Sequence, residues 1–224
     1  MANLTQLREL ERLDGFLLVD KPAGIAFSSV LKAVKRKFNL VKVGHGGSLD
    51  AMASGLMVVL VGDANKFTER VMGEDRTYEG KLRLGLKTNT GDIYGQEVPG
   101  AVPASEFHPD LKDFKGDIFQ CEPRFCSVRR EGSAGYEVAD TGEHEQFMAH
   151  VYRLEMEGVA FRIKCTAKTI VRAIADEMGA ALESLRRTEI GKFKVEDAIP
   201  FSRLLELELK DFPSWVMPLK VALR

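Results

Sequence analysis

Gly44-His45-Gly46-Gly47-Ser48-Leu49-Asp50 puts an imidazole and a carboxylate, the groups of acid–base chemistry, on one glycine-rich turn. Loops held by a rigid scaffold are where reactive groups concentrate. The three glycines let the backbone pass close to a ligand, and the apolar run from Gly55 to Val61 predicts a strand that anchors the turn. No Gly-Lys-Ser/Thr follows, so this is not a phosphate-cradling P-loop. Ser48 lacks the glycine two residues on that a nucleophile elbow requires. Four scattered histidines support no Ser-His-Asp triad.

Two further residues stand out. Arg172 lies among Ile170, Val171, Ala173 and Ile174, where a guanidinium needs an anion or water, and a carboxylate such as Asp50 would satisfy it. Tyr78 belongs to the alternating run Arg76 to Leu84, which puts Tyr78, Gly80, Leu82 and Leu84 on an inward face and Glu79, Lys81 and Arg83 outside.

The elements that must position these residues read as follows. Gly15 to Val19 predicts a buried strand, closed by the loop Asp20 to Gly24. A helix capped by Ser28 comes next, with Val30, Val34 and Phe38 on one face and Lys32, Lys35, Arg36 and Lys37 around the rest. Asp63 to Met72 predicts a short helix with an acidic cap, and Gly85 to Glu97 an ordered loop. Periodicity is weak from Val98 to Asp117, with a short helix near Ser105 to Leu111, and Cys121 to Phe125 reads as a loop. Phe147 to Met156 and Val159 to Cys165 form a hairpin about Glu157-Gly158, and Lys168 to Leu182 a helix through Ile170, Ile174 and Met178.

At 224 residues, with no linker or repeat, the chain is expected to form one domain over residues 1–224. No apolar run reaches the roughly 18 residues of a membrane span. Met1 to Arg12 is polar and carries Glu9 and Glu11, so no targeting signal is expected and the location is read as cytoplasmic. Cys121, Cys126 and Cys165 have no zinc-ligand spacing and read as structural thiols. A net charge of −1 gives no global sign of nucleic acid, so any such site is local.

Taken together, the motifs resemble the TruB family of tRNA pseudouridine synthases from Gly15 to about Arg187. They are the strand and loop Gly15 to Gly24, then Lys42 to Asp50, Gly62 to Phe67, Arg76-Thr77-Tyr78, and Leu84 to Asp92. The resemblance implies a mixed α/β fold with a mainly antiparallel central sheet. It also implies capture of a flipped T-loop uridine (position 55) of tRNA, cleavage of its N-glycosidic bond, rotation of the base and rejoining through C5. Asp50 matches the essential aspartate, Arg172 the arginine that pairs with it, and Tyr78 the tyrosine that stacks on the base. His45 matches the histidine that fills the space left by that base, Lys21 a lysine of a substrate-facing loop, and Leu185 a leucine of the uracil pocket. No cofactor or metal is implied, the partner is the T-arm of tRNA, no membrane is involved, and the fold needs no second subunit, so a monomer is expected.

The chain departs from the family pattern at two sites. Ala51 stands where the family usually has proline, and in Cys165-Thr166-Ala167-Lys168-Thr169-Ile170-Val171-Arg172 an isoleucine replaces a second active-site tyrosine. Ile170 cannot donate a hydrogen bond. The chain ends soon after Trp215, so no C-terminal PUA domain is expected, and phosphate contacts are assigned to Lys32 to Lys37, Lys42, Arg124, Arg129, Arg130, Arg186 and Arg187. Two rival readings are an RNA-binding protein that has lost turnover, and a small-molecule glycosidase pairing Asp50 with a second carboxylate such as Asp92.

Overall fold

The computed structural model describes residues 12–121 and 146–223. In chain order the elements are β1 (Gly15–Lys21), α1 (Phe27–Lys37), β2 (Val43–His45), β3 (Ser54–Val61), α2 (Thr68–Gly73) and β4 (Arg76–Arg83). Next are β5 (Gly116–Cys121), β6 (Gln146–Glu157), β7 (Ala160–Cys165), α3 (Val171–Glu177) and β8 (Ala181–Ile190). The chain closes with β9 (Phe193–Lys194), β10 (Ile199–Pro200), α4 (Phe201–Glu206), β11 (Val216–Pro218) and α5 (Leu219–Ala222). No helix among the described residues is long and apolar enough to cross a membrane. Two compact units result, one over 12–74 and 187–223, the other over 75–121 and 146–186.

In the first unit β1 is the central strand. It pairs antiparallel with β3 through the full register Gly15↔Val61 to Lys21↔Gly55, antiparallel with β11, and parallel with β10. β2 pairs antiparallel with β3, which brings Val43, Gly44 and His45 beside Val61, Leu60 and Val59. Phe16, Leu18, Leu56, Val58, Leu60, Ile190 and Phe193 form the core, each worth roughly 1.5–3 kcal/mol of transfer free energy when fully buried. β1 therefore runs two residues past the expected strand, because Asp20 and Lys21 still pair with β3.

α1 packs Val30, Val34 and Phe38 inward, and Phe38 stacks on Phe212 with ring centroids 3.8 Å apart. The N-cap is Ala26, with no side-chain cap bond, so Ser28 is an ordinary first-turn residue. The helix stops because Asn39 adopts the left-handed region (φ 48°) and the Leu40 N–H returns to the Lys35 carbonyl at 3.0 Å, closing a Schellman motif. The Asp63 helix is split: a 3₁₀ segment, Gly62–Phe67, precedes α2.

In the second unit β4 pairs antiparallel with β7, β7 with β6, and β6 with β5. β4 and the β6–β7 hairpin match the sequence pattern, with Tyr78 and Leu82 buried. Leu82, Leu154, Phe161 and Ile163 face the buried side of α3, where Val171, Ile174 and Ala175 pack. Four differences stand against the sequence reading. Gly116–Cys121 is a strand, not part of an unpatterned stretch, and the helix near Ser105 is one 3₁₀ turn, Ala104–Glu106. α3 is also shorter than Lys168 to Leu182. Gly179, at φ 78°, donates its N–H to Asp176 and Ala180 donates to Ala175, a second Schellman stop. The chain then enters β8, which the helix reading concealed. Arg124, Arg129, Arg130, Cys126 and the loop after Cys121 lie outside the described residues.

Candidate active site in the Asp50 loop

The turn that carries Asp50 leaves β2 and returns as β3, so both its ends are fixed by the same antiparallel pair. Gly46 donates its N–H to the Val58 carbonyl at 2.8 Å, and its missing Cβ makes room for the Val71 side chain. Of the three glycines only Gly47 has a positive φ, at 129°, so Gly44 and Gly46 are present for space and not for angle. Nδ1 of His45 accepts the Gly47 N–H at 3.1 Å, which leaves the proton of a neutral ring on Nε2, and the ring packs edge-on against Phe27 with centroids 5.0 Å apart. Asp50 is half-buried, and its carbonyl accepts the Ala53 N–H at 3.1 Å, so the residue opens a tight turn into β3.

Two buried cations grip this turn. Arg187, 1% exposed, donates Nε to the Leu56 carbonyl at 2.8 Å, Nη1 to Ser48 at 2.8 Å and Nη2 to Gly47 at 3.3 Å. One planar guanidinium thus ties the residues before Asp50 to the strand after it, a task for which its fixed fork of donors is suited. The Arg187 backbone lies against Gly55, whose φ of 105° and lack of a Cβ allow the approach. Lys21, fully buried, donates Nζ to the carbonyls of Pro22 at 2.9 Å, Ile25 at 2.8 Å and Ala51 at 3.3 Å. Burial pushes its pKa down to about 8, with the Asp50 carboxylate opposing that shift and the Arg187 guanidinium adding to it. Lys21 therefore links the loop after β1 to the Asp50 turn. The Ala51 carbonyl also accepts the Gly24 N–H at 2.7 Å, so two donors fix the position where the family proline is absent.

Arg187 corrects the sequence reading, which counted it among phosphate contacts. It is buried because β8 alternates and turns Leu185 and Arg187 inward. A strand assignment for Ala181 to Ile190 would have shown this, since Leu185 and Arg187 are two residues apart.

The second unit holds the other three candidates, all buried: Tyr78 and Leu185 at 7% exposure and Arg172 at 3%. Tyr78 is opposite Ile163 in the β4–β7 ladder. Arg172 lies in the first turn of α3, and its Nη1 donates to the Thr90 carbonyl. Gly91 (φ 74°) brings the Leu84-to-Asp92 motif against the Arg172 backbone. Asp92 has a structural post: its Oδ1 accepts the Thr90 hydroxyl at 2.8 Å and the Tyr94 N–H at 3.0 Å, which removes it as the second carboxylate of a glycosidase. Ile170 is held by Gln120 through its backbone. Gln120, 1% exposed, donates Nε2 to the Ile170 carbonyl at 3.1 Å and accepts its N–H at 2.9 Å.

A family model described as TruB family pseudouridylate synthase (N terminal domain) matches residues 35–171. The tRNA pseudouridine synthase B of Azoarcus sp. (strain BH72) is 36% identical over 209 residues, which cover 86% of this chain and 70% of that protein. That of Opitutus terrae is 34% identical over 227 residues, covering 93% of this chain and 94% of the relative. Among solved structures, a chain of a Cbf5-Nop10-Gar1 complex superposes with a TM-score of 0.71 at 24% identity, covering 96% of this chain and 63% of that one, a likeness of fold. By this match over residues 35–171 and by these relatives, the chain belongs to the TruB family of pseudouridylate synthases.

Proposed function

We propose that this protein is a tRNA pseudouridine synthase that isomerises the T-loop uridine at position 55, acting as a monomer in the cytoplasm. The observation that carries the reading is the Asp50 turn, a half-buried carboxylate on a loop braced by two buried cations, in a chain of the TruB family. A loop so fixed holds a reactive group in one geometry, the condition for efficient attack on a bound substrate.

In this reading Asp50 is the catalytic residue. Its ionised carboxylate either attacks the sugar at C1′ or takes a sugar proton, and in both routes the C1′–N1 bond breaks. The freed uracil turns and C1′ bonds to C5, with the Asp50–C1′ bond breaking in the first route and the sugar proton being returned in the second; the C5 proton is lost and N1 gains one, so no redox equivalent or phosphate is consumed. Tyr78 stacks on the flipped base, an interaction worth roughly 1–3 kcal/mol. Arg172, His45 and Leu185 bind the substrate, and Lys21 acts on it through the Ala51 carbonyl.

The test is position-mapped pseudouridine formation on an unmodified tRNA transcript, with wild type beside Asp50→Asn. Modification in the T-loop by wild type alone is expected. Undiminished turnover by the variant would sink the role of Asp50. Tight tRNA binding without any pseudouridine would favour an RNA-binding protein that has lost turnover.

A further inference from the structure

The chain is almost electrically balanced, with 32 Lys and Arg against 33 Asp and Glu, and most of its surface cations have acids close by in sequence. Lys66 pairs with Asp63 at 2.7 Å, Arg153 with Glu155 at 2.6 Å, Arg203 with Glu206 at 3.1 Å and Lys210 with Glu208 at 2.8 Å. α1 breaks this habit. Between Asp20 and Asp50 the sequence contains no acidic residue, and Lys32, Lys35 and Arg36 have no ion-pair partner among the described residues. At i, i+3 and i+4 they share one stripe, and all three are exposed on the side opposite the buried Val30 and Val34. The helix dipole rewards cations only in the last turn, so it accounts neither for Lys32 nor for the missing acids.

Two of the other described cations assigned to phosphate by sequence have other partners in the structure. Arg187 is buried on three carbonyls, and Lys37 lies over the Phe38 ring at 5.6 Å. The stripe also has a fixed relation to the candidate catalytic loop. Phe27, the first residue of α1, packs on His45, and a rise of 1.5 Å per residue puts Lys32 about 8 Å and Arg36 about 14 Å further along the axis. Nucleic-acid strands advance about 3.4 Å per nucleotide, so the stripe spans the phosphates roughly two to four nucleotides from a base held at the loop.

We propose that Lys32, Lys35 and Arg36 form a phosphate-backbone track that binds the tRNA strand flanking the nucleotide presented to the Asp50 loop. The track rests on the tRNA reading above but requires no turnover. It contacts phosphates only, so it contributes affinity and register and not base identity.

The test compares wild type with the triple variant Lys32→Gln, Lys35→Gln, Arg36→Gln on an unmodified tRNA transcript. Filter binding is run from 50 to 300 mM KCl, with single-turnover rates measured at saturating enzyme. These side chains are exposed, so the melting temperature should be unchanged. The expected result is at least tenfold weaker binding at 100 mM KCl, a salt slope shallower by about two to three, and an unchanged rate at saturation. An unchanged affinity and slope would overturn the proposal. So would loss of binding to polyglutamate with tRNA binding intact, which would assign the stripe to an acidic protein. A wild type that binds tRNA through the stripe yet forms no pseudouridine would refute the catalytic reading and leave the track standing.

Discussion

Nη1 of Arg187 donates to the Ser48 carbonyl at 2.8 Å, two residues before Asp50 and 139 residues away in sequence. The same guanidinium reaches Leu56, so the loop is closed by a side chain as well as by its strands. Arg187→Met leaves three carbonyls without these donors, at a cost of about 1–3 kcal/mol for each buried group left unpaired. Arg187→Lys restores one donor site but not the fork. Both variants are expected to lose at least tenfold in single-turnover rate while tRNA affinity stays within about threefold, and Lys should recover part of the loss. A folded Arg187→Met with a wild-type rate would show that the loop keeps its shape unaided.

Lys21 gives a pH dependence with a definite sign. Its pKa, ordinarily 10.5, is held near 8 in the fold. Between those values the unfolded chain binds a proton that the folded chain does not, so this group raises stability as pH climbs from about 8 to 10.5 and adds nothing further above that window. The unfolding free energy of wild type minus that of Lys21→Met, from urea titrations at pH 7, 8.5 and 10, should grow in favour of wild type. A flat difference across the window would contradict the burial argument.

Gln120 and Ile170 exchange two hydrogen bonds through one side-chain amide and one peptide. Gln120→Leu removes both and is expected to cost about 2–4 kcal/mol, read by urea unfolding. Ile170→Tyr keeps both, because they use the backbone. That variant should unfold within about 1 kcal/mol of wild type and turn over no more slowly than it. A slower folded variant would mean that the isoleucine has been accommodated by changes a tyrosine now disturbs.

The described thiols should differ sharply in reactivity. Burial raises the Cys165 pKa to about 11, whereas Cys121 is exposed. Iodoacetamide at pH 8 should label Cys121 in the native protein and reach Cys165 only after denaturation, as mapped by peptide mass. Native labelling of Cys165 would show that the β7 core opens.

The parts of the fold that the sequence displayed are those where burial and period agree. The Gly55 to Val61 run, the β4 alternation and the Glu157-Gly158 hairpin each carry a pattern that one element alone satisfies. β5 hid because it alternates against expectation, turning Gln120 inward and leaving Phe119 71% exposed. β8 hid because Arg187 occupies a core position that a hydrophobicity pattern scores as surface. The glycine-rich turn that carries His45 and Asp50 into β3 was legible from residue type and spacing. The brace was not, since a buried arginine and a buried lysine look in sequence like any other surface charge, and only the carbonyls they meet reveal their use.

The shape of the Asp50 turn is written outside the turn. Lys21 and Arg187 supply four hydrogen bonds to the carbonyls of the turn and of the strand it enters, and they come from opposite ends of the chain. The turn is consequently not portable: grafted as a heptapeptide onto another hairpin it would keep its reactive groups and lose their geometry. Conversely, the side chain at residue 51 is not what fixes the turn there, because Lys21 and Gly24 meet the Ala51 carbonyl.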